Sequence, residues 1–311
     1  MRVAVVGCGF VGQSWATIFA RAGHDVAVHD VSASQRVRGR ADVLSNLDLL
    51  HDAGLISEAP SVVASRIRFC DQLEDALAGA EYVQENVSER LDAKVAIFAQ
   101  LDRSSEPGAT LASSSSGICC SDFCADLPGR HRCLIAHPAN PPHLLPVVEI
   151  VPAPFTAPDV VGRAEAFFAQ AGITPVRVRQ ELPGFVMNRL QAALVNEALS
   201  LVEQDVATAR DIDTIVKSSL GLRWSFMGPF ETMDLNAPGG FADYARRYGP
   251  TFSAVGGSMA GGWPAKAVAS VDDERRSLLP RHEMENRRAW RDARLVDLLA
   301  REVARSAQTE F

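Results

Sequence analysis

Short, apolar, mostly β-branched runs alternate with segments of helical periodicity through the first half of the chain and beyond. Val3–Val6 reads as a buried strand, Phe10–Arg21 as an amphipathic helix closed by Gly23, and Asp25–His29 as a second strand. A long helical pattern follows from about Ser32 to Gly54, with Val37, Val43, Leu47 and Leu50 at helix spacing. Strand-like pieces recur at Arg66–Cys70, Glu81–Val87, Ala109–Ser113, His131–Ala136, Val147–Val151 and Thr174–Arg179. Helices fall between them: a short one ending near Gly79, then Ser88–Leu101 and Thr156–Ala171. This alternation predicts an α/β fold, a doubly wound sheet of parallel strands.

The pattern changes at Pro183-Gly184, after which only helical periodicity remains. Phe185, Leu190, Leu194, Ala198 and Leu201 line one face of a long helix between Gly184 and about Gln204. Thr208 has the chemistry of a helix cap and Gly221 that of a helix stop. A glycine-rich stretch, Ala254–Trp263, reads as a mobile loop, and a charged helix is expected from about Pro280 to Ala304.

Between the first strand and the first helix stand Gly7, Gly9 and Gly12, in G-x-G-x-x-G spacing. In that context Gly7 allows a tight turn, Gly9 admits a pyrophosphate to the backbone, and Gly12 lets helix pack on strand. The N–H groups of Phe10 and Val11 then face the phosphates. The second strand ends on Asp30, where a carboxylate holds a ribose 2′-hydroxyl, and no arginine follows it directly. Its charge repels a 2′-phosphate. The pattern thus predicts a Rossmann-type domain over 1–182 that prefers NAD to NADP, followed by an all-α domain over 183–311.

Composition narrows the partners. With a formal net charge of −7 and no basic stripe, the chain offers no nucleic-acid surface. Arg287, Arg288, Arg291 and Arg294 alternate with acids and read as a solvated helix face. No apolar run approaches a membrane span, and the N-terminal strand lacks a signal-peptide cleavage site, so a cytoplasmic protein is expected. The cysteines Cys8, Cys70, Cys119, Cys120, Cys124 and Cys133 match no metal-ligand spacing and read as free thiols.

Two residues stand out chemically. His137 lies at the C-terminal end of a predicted strand, where open α/β sheets place ligands, and a proline-rich loop follows it. Twelve residues on, Glu149 sits inside the apolar run Val147–Val151, where an unpaired carboxylate is costly. Paired, they make His137 a general base whose tautomer Glu149 sets. Taken singly, each is as readily a core histidine or a sheet-edge glutamate. The run Ser113–Ser116 could serve a cofactor and substrate, or simply cap the next helix.

These motifs together resemble the 3-hydroxyacyl-CoA dehydrogenase superfamily, and within it the lambda-crystallin / L-gulonate 3-dehydrogenase branch. The resemblance rests on the fingerprint with Ser14-Trp15, the run Gln84–Glu89 leading to Lys94, Ala136–Pro142, Pro183–Leu190, and Gly221–Trp224 through Gly228–Met233. It implies that His137, Glu149, Ser116 and Asn188 are catalytic. It further implies that Glu89, Lys94, Ser114 and Asn140 contact NAD, and that the chain is a homodimer through its helical domain. Ser114-Ser115-Ser116 departs from the superfamily's N-T-S or S-T-S, losing a methyl and keeping the hydroxyls.

Trp290-Arg291-Asp292 and a charged helix replace the close typical of the short CoA enzymes, as in the gulonate branch. The helix after Asp30 is also not lysine-rich, where CoA phosphates are expected to bind. The resemblance therefore implies NAD-dependent oxidation of a small free 3-hydroxy acid, with L-gulonate foremost. A hydroxyacyl-CoA or carnitine-type dehydrogenase is the alternative enzyme, and a non-catalytic NAD-binding crystallin the alternative outside enzymes. A free acid also needs a cation: Arg223 either pairs with its carboxylate or neutralises the end of a helix.

Overall fold

The computed structural model describes residues 1–255, 265–287, 289 and 290. Residues 256–263 of the expected loop, and the expected C-terminal helix from 291 on, lie outside the described residues. The chain divides into two units, Met1–Val195 and Asn196–Phe311. The division falls past the expected 182/183 boundary, because Phe185 is fully buried in one core of the first unit.

The first unit runs β1 (Arg2–Val6), α1 (Phe10–Arg21), β2 (Asp25–His29), α2 (Ala33–Asp52), α3 (Pro60–Ala64), β3 (Ile67–Cys70) and α4 (Leu73–Leu77). It continues with β4 (Tyr82–Glu85), α5 (Leu91–Ser104), β5 (Thr110–Ser113), α6 (Cys120–Cys124), β6 (Cys133–Pro138), β7 (Val147–Pro152), α7 (Pro158–Gln170) and β8 (Thr174–Arg177). The strands form one sheet in the order β3-β2-β1-β4-β5-β6-β7-β8. The central strands are buried on both faces, which is why they read as continuous apolar runs. One face packs on Trp15, Phe19, Phe167 and Phe168, with Tyr82 and Phe167 stacked at 4.3 Å. The other packs on Phe98, Leu101 and Phe123.

The sheet departs from the all-parallel expectation at one place: β7 runs antiparallel to β6. The connection spans only residues 139–146, too short for the helical crossover that parallel strands require. Reversal sets His137 directly opposite Glu149 in the register. From β7 the chain returns through α7 to β8, which is again parallel.

Of the helical part, α8 (Met187–Glu203) begins in the first unit and ends in the second. It is followed by α9 (Ala209–Ile215), a π-helical stretch Val216–Gly221, and α10 (Leu222–Trp224). Thr208 caps α9 as expected, its Oγ1 accepting from the Asp211 N–H at 3.2 Å. Gly221 does not stop the helix. Its φ of −62° is right-handed, and the wider π winding carries the backbone through it to Trp224. Then come α11 (Pro229–Leu235), α12 (Phe241–Val255) and α13 (Ala265–Leu278). Fully buried Asp234 ties these three, accepting from the Phe241 N–H at 2.7 Å and pairing with Arg276.

The turn after β1 is held by close packing as well as by glycine. A Cβ on Gly39 of α2 would lie 2.0 Å from Cys8 Sγ and 3.2 Å from its carbonyl oxygen. Helix α2 can therefore sit against the fingerprint turn only as glycine at that point. Gly39→Ala should cost about 1–3 kcal/mol by overpacking. Adding Cys8→Ala should restore most of the loss, since the thiol is the nearest obstacle. Thermal melts of the two single variants and the double variant check this; losses that simply add would contradict it.

Candidate active site

Three local structures bring the expected site residues together. The first is the pair at the end of β6. His137 Nδ1 lies 2.8 Å from Glu149 Oε2, and both side chains are almost fully buried. Glu149 Oε1 accepts the Val186 and Met187 N–H groups, each at 2.9 Å. These are orphan donors at the start of α8, so one carboxylate orients the imidazole and caps a helix. Burial pushes the Glu149 carboxyl up, but the His137 hydrogen bond and the Met187 and Val186 N–H groups outweigh it. The group ends below the usual carboxylate range. As an ionised acceptor it requires Nδ1 to carry the proton, which leaves the Nε2 lone pair free.

The chain reaches Glu149 through a tight bend. Gly184 and Phe185 both take positive φ, 78° and 49°, and the second is unusual for a side chain of that size. A strain of about 1–3 kcal/mol is typical of such a residue. It is offset by burying the Phe185 ring, whose centroid lies 5.5 Å from that of His137.

The second structure is the loop after β5. Glu89 Oε1 accepts from the Ser116 N–H at 2.8 Å, the Gly117 N–H at 3.0 Å and Ser115 Oγ at 2.7 Å. Asn188 Nδ2 donates to the Ser116 carbonyl at 2.8 Å from the other side. The backbone of Ser116 is thus clamped at both N–H and C=O, while the residue itself is exposed. Burial raises the Glu89 carboxyl, and the Ser115, Gly117 and Ser116 donors together with Lys94 bring it below its ordinary value.

Lys94 does not reach outward as a cofactor contact would. It is 1% exposed, and its ammonium donates to both oxygens of Glu85 at 2.9 Å and to the Val87 carbonyl at 3.3 Å. A longer contact of 3.7 Å joins it to Glu89. Its place is beneath the loop, as a buried cation supporting two acids. Glu85, which sequence reasoning gave no role, is the centre of that support; burial pushes its carboxyl up against the pull of Lys94, Ser113 and the Val87 N–H. The signal was available: a carboxylate in the buried strand Tyr82–Glu85 demands a partner, as Glu149 did.

Ser114 is a second correction. Its Oγ accepts from Trp15 Nε1 at 2.9 Å and Gln84 Nε2 at 2.8 Å and donates to Asn86 Oδ1 at 2.7 Å. One hydrogen and two lone pairs are all used, so the hydroxyl has nothing left for a cofactor. Asn140 is exposed on the loop after β6 and precedes a cis Asn140–Pro141 bond.

The third structure is the fingerprint turn. Gly7 has φ +90°, and a Cβ there would meet the Asn86 backbone at 2.8 Å. A Cβ on Gly12 would lie 1.9 Å from the Gly7 oxygen, whereas one on Gly9 would meet nothing within 4 Å. Turn, close packing and open approach fall on the three glycines as a dinucleotide requires. The first turn of α1, with Phe10 and Val11, has no side-chain cap. Asp30 accepts from the Cys8 N–H at 2.8 Å and the Ser32 N–H at 2.9 Å, one bond to each oxygen. A lone pair on each remains.

Arg223 lies in the second unit, in the middle of α10, partly buried, with a buried Nε that has no hydrogen-bond partner.

Two family models cover this architecture. Residues 2–182 match the 3-hydroxyacyl-CoA dehydrogenase NAD binding domain, and residues 184–259 match the 3-hydroxyacyl-CoA dehydrogenase C-terminal domain. The chain belongs to the 3-hydroxyacyl-CoA dehydrogenase family. It is an NAD-dependent dehydrogenase. It is 38% identical to the lambda-crystallin homolog of Bos taurus, over 95% of this chain and 94% of that protein. It is also 38% identical to an L-carnitine dehydrogenase of Burkholderia mallei, over 79% of this chain and 76% of that one. Among solved structures, a 3-hydroxyacyl-CoA dehydrogenase from Archaeoglobus fulgidus superposes with a TM-score of 0.78 at 26% identity, covering 96% and 98% of the two chains.

The lowered pKa of Glu149 has a consequence for stability. A group whose folded pKa is depressed stabilises the fold above its unfolded pKa and loses that contribution as pH falls through the folded value. The stability difference between wild type and Glu149→Gln should therefore be fully present at neutral pH and shrink as pH falls below the ordinary carboxylate range, through the lowered value. Denaturant melts across that range check this; a constant difference would contradict it.

Proposed function

We propose that the protein oxidises the 3-hydroxyl of a small free hydroxy acid, with L-gulonate the foremost candidate. The observation that carries the reading is the buried His137–Glu149 pair, in which Glu149 takes Nδ1 and leaves Nε2 to act as the base. NAD, when bound, supplies the acceptor for the hydride from the substrate carbon. His137 takes the hydroxyl proton on Nε2, and the charge of Glu149 supports the imidazolium that forms. The Ser116 hydroxyl, on a loop clamped by Glu89 and Asn188, positions the reacting oxygen. Gly7, Gly9, Gly12, the N–H groups of Phe10 and Val11, and Asp30 hold the dinucleotide.

A free acid is favoured over a CoA thioester by α2, which has no lysine. Two of its arginines are engaged: Arg36 by Asp71, and Arg40 over the Phe69 ring. The near-full-length likeness to lambda-crystallin homologs supports the same branch. Arg223 is the cation proposed for the substrate carboxylate, on the need of a free acid for a guanidinium partner alone. The six free thiols support a reducing, cytoplasmic setting.

A homodimer is supported by α8, which has no buried residue. Leu190, Leu194, Val195, Leu199 and Val202 are all exposed along it. Further on, Met227 is buried, Phe226 packs on Trp290, and Phe230 is exposed. A second copy covering the α8 stripe would hide this surface. Sedimentation at micromolar concentration should give twice the chain mass; a single-chain mass contradicts the dimer.

The reaction is tested by NADH production on a panel of L-gulonate, 3-hydroxybutyrate, L-carnitine and 3-hydroxybutyryl-CoA. The free acid L-gulonate should have the highest kcat/KM, and preference for the thioester or for carnitine would overturn the substrate assignment. His137→Ala should lower kcat about a hundred- to ten-thousand-fold while NADH affinity is kept. Near-normal turnover would remove His137 from the chemistry.

A further inference from the structure

At the end of β2 the chain holds a cation as well as Asp30. Arg36 lies six residues on, in α2, and the helix turns its guanidinium back over the strand end. Its Nη1 donates to the Asp30 carbonyl oxygen at 2.6 Å, and its Nη2 to Asp71 Oδ1, also at 2.6 Å. Asp71 stands in the turn between β3 and α4, 81% exposed, while the Arg36 side chain is 15% exposed.

In dinucleotide folds this strand end meets the adenosine ribose. A carboxylate there accepts from a 2′-hydroxyl, and a nearby arginine accommodates a 2′-phosphate. This chain carries both groups, so Asp30 alone does not account for cofactor choice. We propose that Asp71 is a cofactor-selectivity residue: by holding and neutralising Arg36 it withholds that guanidinium from the 2′-phosphate of NADP.

The charges support this. Asp30 and Asp71 flank one arginine, leaving the strand end net negative towards a phosphate of nearly two charges. Without Asp71 the balance is neutral and the planar fork of Arg36 is free for bidentate contact. Asp71 is the exposed partner of the pair, so its removal frees Arg36 with little cost to the fold. The bond to the Asp30 carbonyl remains and keeps the guanidinium at the end of β2.

The proposal rests on the NAD-binding domain and not on the identity of the hydroxy acid. It is tested by binding, with NADH and NADPH titrated against the full chain by calorimetry. The variants are Asp71→Ala, Asp71→Asn, and Asp71→Ala combined with Arg36→Ala. One charge-assisted contact to phosphate corresponds to about a tenfold fall in the ratio of NADPH to NADH Kd for Asp71→Ala. Asp71→Asn, which keeps an acceptor and loses the charge, should move the ratio the same way by less. The double variant should return to the wild-type ratio or exceed it. An unchanged ratio in both single variants, or a lowered ratio that survives loss of Arg36, overturns the proposal. A wild type that binds neither dinucleotide overturns the cofactor site itself, a result distinct from either of these.

Discussion

Glu149 spends its two oxygens on two different parts of the molecule. One holds the imidazole of His137 on β6; the other holds the first N–H groups of α8. A buried carboxylate is tolerated only when its charge is met, and here a histidine and the start of a helix meet it together. Because α8 begins there, Asn188 stands one residue beyond Met187 and can reach the carbonyl of Ser116. The base, the helix start and the serine loop are therefore joined through one charge. The antiparallel turn of β7 makes this possible, since it alone puts residue 149 opposite residue 137.

The serine loop is held from beneath by a second buried ionic group. Glu85 and Lys94 are almost wholly inside the protein, and Lys94 extends the pair towards Glu89. Removing one partner of such a pair leaves an uncompensated charge, which typically costs about 3–5 kcal/mol. The geometry gives that ion pair a definite task, which is to fix the acid that grips the Ser116 and Gly117 N–H groups. Ser114, one residue earlier, belongs instead to a neutral network with Trp15, Gln84 and Asn86 that ties α1 to β4. Neighbouring serines thus serve different ends: Ser116 is exposed, its hydroxyl making one long contact of 3.5 Å to Glu89, and Ser114 is fully used.

Much of this was legible in the chain. The order of strands and helices, the glycine turn and Asp30 follow from periodicity and local sterics. The His137–Glu149 pairing follows from the cost of a carboxylate in an apolar strand. The same logic applied to Glu85 would have found Lys94, and eight residues between β6 and β7 were too few for a parallel crossover. Other features depend on partners far apart in sequence. The hydroxyl of Ser114 is used up by residues from two earlier elements, and Arg36 is held by Asp71, thirty-five positions away. Gly221 misleads for a local reason: glycine takes the right-handed helical conformation as readily as the left, so it stops a helix only when the backbone turns there.

The central claim is that one carboxylate holds both the base and the start of α8. Amide hydrogen exchange at Val186 and Met187 reads that link directly, with Glu149→Ala compared against wild type. Loss of the shared acceptor should make both amides exchange much faster, while amides in the middle of β1 and β4 keep their protection. Unchanged protection at Val186 and Met187 would mean that α8 starts without Glu149, and would contradict the account.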